Sequence, residues 1–214
     1  MTHPKRIDTE TWARKQQFAF FKTFAQPFFN ITANVDVTAL THHCKTHSLS
    51  FSLCALHASQ TTVNGIPELR YRLKKGEVWE YDEVHLGVTI MLEDQTFIYC
   101  TIMYHPDLAT FITEAQKAIE TQKKAGTFTP HTRPDMVYYS IIPWISFTGF
   151  GHASDPHPDD STPRIVFGKY FQEADRFKMP VSIELHHALA DGYHMGQYFE
   201  TFQAQLNLAK NTTR

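Results

Sequence analysis

Cysteine is scarce in this chain, and glycine-rich turns, long apolar runs and any marked imbalance of charge are missing. Three cysteines, Cys44, Cys54 and Cys100, stand at irregular spacing and make no disulfide framework; an odd count fits a reducing cytoplasm. No apolar run is long enough to span a membrane, and the opening residues, Met-Thr-His-Pro-Lys-Arg-Ile-Asp, lack the apolar centre of a signal peptide. The expectation is a soluble, cytoplasmic protein with no membrane partner. Lys and Arg number 20 against 22 Asp and Glu, a formal charge of -2, so no basic surplus argues for nucleic acid and no acidic block marks a disordered tail. No turn reads GxGxxG or Walker A, which removes the main support for dinucleotide and NTP binding. HExxH, paired CxxC and GxSxG are missing too.

What is present suits one domain over residues 1–214, with 42% hydrophobic residues to fill a core. Aromatics reach 14%, with 17 Phe, and they crowd Phe20 to Phe29. That stretch reads either as core or as the wall of an apolar pocket. A first helix is expected over Thr9 to Phe21, capped by Asp8 or Thr9. Asn30 to Val37 alternates as a half-buried strand with Ile31, Ala33, Val35 and Val37 inward. Helices are expected over Thr38–His47, Phe51–Val63 and Asp107–Lys124. Leu69–Leu73 with Val78–Tyr81, and Val84–Leu92 with Phe97–Tyr104, read as hairpins. Strands follow at Met136–Ile142, Ile145–Phe150, Arg164–Phe171 and Pro180–Leu185, and a last helix runs from Tyr193 to Ala209. Gly126–Pro134 and His152–Pro163 read as loops, the second a surface loop or small lid. The order predicts an α/β (α+β) protein with a large mixed, mostly antiparallel sheet.

The 13 histidines raise a zinc reading, with His42, His43, Cys44, His47, Cys54 and His57 close in sequence, but no paired metal motif supports it and no metal is expected. The residues Glu184-Leu-His-His-Ala-Leu-Ala-Asp-Gly-Tyr-His194 stand between a strand and a helix. Neighbouring strand residues point to opposite faces, so His186 and His187 cannot easily share one ion. One of them can face a cleft as a general base, with Asp191 fixing the loop. The other reading is a helix N-cap turn beside two packed histidines; spacing leaves both open.

Glu184–His194 resembles the signature of the chloramphenicol acetyltransferase family, Gln-hydrophobic-His-His-(Ser/Ala)-x-x-Asp-Gly-(Phe/Tyr)-His, at every position but the first. The resemblance continues in Asp8–Phe21 with its Trp and Arg, in Ser140-Ile-Ile-Pro-Trp-Ile-Ser-Phe147, and in Lys169–Arg176 with Met179-Pro-Val-Ser182. It implies a two-layer, CoA-dependent acyltransferase-like fold and acetyl transfer from acetyl-CoA to a chloramphenicol hydroxyl. His187 would be the general base, Ser140 the oxyanion donor, and Asp191 the partner of Arg14. Lys169 and Tyr170 would meet coenzyme A. Phe20, Phe21, Ala25, Tyr138, Phe150 and Val166 would line the acceptor pocket. It further implies a homotrimer, with His187 from one subunit and much of the acceptor pocket from its neighbour. Departures at Ser50, Phe21, Val166, Tyr138 and His152 bear on the ligands rather than on the base. The alternatives are another hydroxyl acceptor or a non-catalytic trimeric binding protein.

Overall fold

A computed structural model describes residues 4–130, 133–153 and 157–208. Ala209, the expected last residue of the final helix, lies outside them, as do parts of the two expected loops. In chain order the elements are β1 (Lys5–Arg6), α1 (Lys15–Phe21), β2 (Phe28–Asp36), α2 (Thr38–His47), α3 (Phe51–Asn64), a 3-10 turn (Pro67–Arg70), β3 (Tyr71–Lys74), β4 (Glu77–Glu80), β5 (His85–Met91), β6 (Phe97–Ile102), α4 (Leu108–Ala125), β7 (Met136–Ile142), β8 (Arg164–Gly168), β9 (Phe171–Glu173), β10 (Arg176–His186) and α5 (Gly192–Leu208).

Six strands of a seven-stranded sheet lie in the order β2-β10-β8-β7-β5-β6, and β9 pairs with β10. The β5–β7 and β7–β8 contacts are parallel and the rest antiparallel, so the sheet is mixed and mostly antiparallel. A small sheet, β1-β4-β3, stands apart. Its hairpin turns on Lys75 and Gly76, both at positive φ, as a two-residue turn between twisted strands requires.

Register sorts the large sheet into two faces, because residues directly opposite each other point the same way. Tyr139, Ile165, Phe167, Val181, Ile183 and Leu185 share the main core, under α3 and α5. On α5, Tyr198, Phe202 and Leu206 follow one another at helical spacing and are fully buried. The opposite face carries polar residues: Tyr138 stands level with Arg164, which is level with Glu184; Ser140 stands level with Val166, which is level with Ser182. A second core joins Phe18, Tyr71, Leu73, Val78, Ala188 and Leu189, with Trp12 and Phe21 against it. The buried Arg72 ties the small sheet to the large one by donating to the Pro134 and Met136 carbonyls.

Three expectations need correction. The first helix begins at Lys15, not Thr9, because Asp8 spends its carboxylate on a local turn, accepting from the Glu10 amide and the Thr11 hydroxyl. Ile145–Phe150 is no strand: after the Pro143-Trp144 turn, the Ile145 carbonyl accepts from the Lys169 amide and the Ser146 hydroxyl donates to the Lys169 carbonyl, so the segment is pinned beyond the end of β8 rather than paired in a ladder. Ile31 is 38% exposed although Val35 and Val37 are buried, because β2 is an edge strand whose first half is uncovered in the single chain.

Gly168 closes β8 where the chain runs tightest. A Cβ there would lie 2.6 Å from Pro180 Cγ and 2.9 Å from Phe147 Cε1, atoms of two rings with little room to yield. Gly168→Ala is expected to lower the unfolding free energy by about 1–3 kcal/mol in denaturant titration; an unchanged midpoint would contradict this packing.

Candidate active site

β10 ends at His186, and His187 begins the turn into α5. The next two residues, Ala188 and Leu189, are buried in the second core, while Leu185 and Ala190 are buried in the main one. The turn is thus nailed at both ends, and His187 is its half-buried residue. Its amide donates to the Pro27 carbonyl at 2.8 Å. The imidazole lies between two rings: Phe21 stacks at 3.9 Å and 6°, and Phe29 at 4.2 Å and 25°. Nδ1 is 3.2 Å from the Ala190 carbonyl, which can only accept, so the neutral ring carries its proton on Nδ1. Among the described residues nothing bonds Nε2, whose lone pair is left for an incoming proton.

Arg14, the residue just before α1, braces the turn. Its Nη1 donates to Asp191 Oδ2 at 2.5 Å and its Nη2 to the His187 carbonyl at 3.3 Å. Asp191 Oδ1 accepts from the Tyr193 amide, capping α5. Burial pushes the Asp191 carboxyl up, but Arg14 and His194 outweigh it and hold it below the ordinary carboxylate range. His194 accepts from the Asp191 amide at 3.1 Å through Nδ1 and points Nε2 toward Glu68. His186 faces the other way, edge-on to Phe28 at 5.4 Å. Burial, aided by repulsion from His187, pushes its pKa down to about 4, so it stays neutral near neutral pH.

Ser140 stands on β7, half-buried, and its hydroxyl is uncommitted among the described residues. Lys169 and Tyr170 border a cavity of about 390 Å³, walled by Phe51, Ala55, Ile141, Phe167 and Met179. Tyr170 is 37% exposed and rests against Phe51 at 5.1 Å. Of the expected acceptor-pocket residues, Phe21 covers His187, whereas Phe20 is 61% exposed and packs on Phe21 and Phe24. Ala25 lines a second cavity, beside His186 and Glu184. Tyr138 shares the polar face with Ser140, and burial raises its pKa. Phe150 packs on Phe147 and His152. Val166 is fully buried between Ser140 and Ser182 and lies on the same face as both.

Among the described residues no group of three or more His, Cys, Asp or Glu is placed to hold a metal ion. Sequence reading missed Phe29, Pro27 and the anchors Ala188 and Leu189. The Phe20–Phe29 cluster hinted at the first two, and nothing local marked the anchors.

Removing one partner of a half-buried ion pair strands the other charge. Arg14→Ala is therefore expected to cost about 2 kcal/mol of stability, read by chemical denaturation, and to cost activity as well; an unchanged melt and unchanged turnover would contradict the brace.

The family model for chloramphenicol acetyltransferase matches residues 2–203. Chloramphenicol acetyltransferase 2 of Escherichia coli is 31% identical over 201 residues, covering 92% of this chain and 94% of its own. A chloramphenicol acetyltransferase of Proteus mirabilis is 30% identical over 199 residues, covering 92% of each chain. A solved chloramphenicol acetyltransferase superposes with a TM-score of 0.84 at 26% identity, covering 95% of this chain and 100% of its own. A probable dihydrolipoamide acetyltransferase of Listeria monocytogenes shares the fold, with a TM-score of 0.71 at 12% identity over 98% of this chain and 97% of its own. With the match spanning nearly the whole chain, this protein belongs to the chloramphenicol acetyltransferase family.

Proposed function

We propose that the protein transfers an acetyl group from acetyl-CoA to a hydroxyl of a small acceptor, with chloramphenicol as the first candidate. The observation that carries this reading is the held imidazole of His187, protonated on Nδ1 toward Ala190 and open at Nε2. Nε2 takes the proton of the acceptor hydroxyl as its oxygen attacks the thioester carbonyl. The Ser140 hydroxyl donates to the oxyanion that forms. The C–S bond then breaks, and His187 returns its proton to the departing thiolate. No covalent protein intermediate is needed. Asp191 and Arg14 hold the turn and transfer nothing. The apolar cavity beside Ile141 suits the thiol-bearing arm of coenzyme A, with Lys169 at its lip for a phosphate and Tyr170 for the adenine.

A homotrimer belongs to the same proposal. His187 stacks on Phe29, whose partner Leu185 faces the main core, whereas Ser140 shares the opposite face with Val166 and Ser182. This parity supports a site completed by Ser140 of another copy, and the exposed Phe20 and Phe24 offer an apolar surface beside His187 for that copy to cover. The three cysteines are free and buried, which fits a cytoplasmic protein. Among the described residues no helix is long and apolar enough to cross a membrane. Another hydroxyl acceptor is the second reading, and the buried charges of Arg164 and Glu184 favour it.

The test is thiol release from acetyl-CoA, with and without chloramphenicol. Release is expected to depend on chloramphenicol, to fall by about a thousandfold in His187→Ala, and to fall by about a hundredfold in Ser140→Ala. Full turnover in His187→Ala would remove the base assignment. Release with other alcohols but not with chloramphenicol would select the second reading.

A further inference from the structure

Helix α2 carries His42, His43 and His47, and none of them serves the site described above. His43 and His47 stand four residues apart, about one helical turn, so both project from one face. Their ring centroids are 4.5 Å apart and the ring planes are tilted by 46°. Two imidazoles that share one ion each place a nitrogen about 2.0–2.1 Å from it, which sets their ring centres about 4.5–5.2 Å apart at right-angled to tetrahedral geometry. The pair therefore stands at the separation that chelation requires. Among the described residues neither ring forms a hydrogen bond. The His43 residue is only 9% exposed, yet its nitrogens are not sealed from water.

Both rings border a cavity of about 370 Å³, which Asp36, Asp175, Arg176 and Asn207 also line. Two carboxylates against one guanidinium leave that lining negative. Arg176 is spent on Asp36, donating to Oδ2 at 2.6 Å, and Asp36 Oδ1 accepts from the Thr38 amide. Asp175 is left as the uncompensated charge. His47 is the last residue of α2, with Ser48 following at positive φ, so the negative end of the helix lies beside the pair and favours a cation. Burial, aided by repulsion from His47, pushes the His43 pKa down, so this ring keeps a lone pair at neutral pH.

We propose that His43 and His47 chelate one divalent transition-metal ion of the zinc kind at the edge of this cavity, with water completing its shell. Imidazole nitrogens suit such ions, whereas magnesium and calcium take oxygen ligands. Among the described residues no third His, Cys, Asp or Glu is placed to join the pair, so the site is open and exchangeable rather than a closed structural centre. The expectation of no metal is revised here for one surface site, outside the acyl-transfer machinery.

The experiment is calorimetric titration of the full chain, free of any histidine tag, with zinc chloride and with magnesium chloride. It compares the wild type with His47→Ala, His43→Gln and His42→Ala. The wild type is expected to bind one zinc ion per chain in the micromolar range and no magnesium. His47→Ala and His43→Gln are each expected to weaken zinc binding by about tenfold or more, because one imidazole alone loses the effective concentration that the second supplies. His47 is exposed, so its variant decides the matter if loss of the buried ring at position 43 unfolds the chain. His42→Ala is expected to leave the affinity within about twofold, since neighbouring helix positions point about 100° apart. Zinc binding that survives both substitutions in the pair, that follows His42 instead, that is only millimolar, or that magnesium matches would overturn the site.

Discussion

An imidazole held between two phenylalanine rings has few rotamers left, and the rest of this structure follows from keeping it there. Phe21 comes from α1 and Phe29 from the edge strand β2, so His187 is fixed only when both elements are docked. The small sheet supplies part of the second core that seats Ala188 and Leu189, and Arg72 ties that sheet to the large one. Arg14 then closes the turn onto Asp191. A general base must be placed to within a fraction of an ångström of its substrate, and stacking, anchoring and ion pairing each remove a different freedom of the ring.

The second organising constraint is the parity of the large sheet. One face is apolar and lies under helices, which makes it a core. The other face gathers Tyr138, Ser140, Arg164, Glu184 and His186, and buries several of them. Buried polar groups must be paired, and here most are: Arg164 reaches two carboxylates and one ring, and Asn30 donates to Ser182. Where pairing is incomplete, at Glu184 Oε2 and His152 Nδ1, the face opens into a cavity. The proposed base, His187, lies at the end of the sheet and the proposed oxyanion donor, Ser140, on its polar side, an arrangement that a second copy would complete.

Local signals carried much of the fold. α2, α3 and α4 were legible because punctuation marks their ends: Asp107 caps α4 by accepting from the Thr110 amide, and Gly126 ends it at positive φ. The edges of β7 were legible from composition, whereas Ile145–Phe150, equally apolar, is claimed by contacts with Lys169 that no window of sequence contains. The pairing of Arg14 with Asp191 was legible only through the family resemblance, since the two stand far apart in the chain. The pairing of Glu184 with Arg164 was not legible at all. It depends on a register that sets Arg164 opposite it, which is a property of the folded sheet.

The central claim is that the turn presents His187 with its proton on Nδ1 and its lone pair on Nε2. Nitrogen NMR of the selectively labelled ring tests this directly. The account predicts that the neutral imidazole shows a protonated Nδ1 and an unprotonated Nε2, as a bond to the Ala190 carbonyl demands. A neutral ring with its proton on Nε2 would contradict it, because the nitrogen assigned to take the acceptor's proton would already carry one.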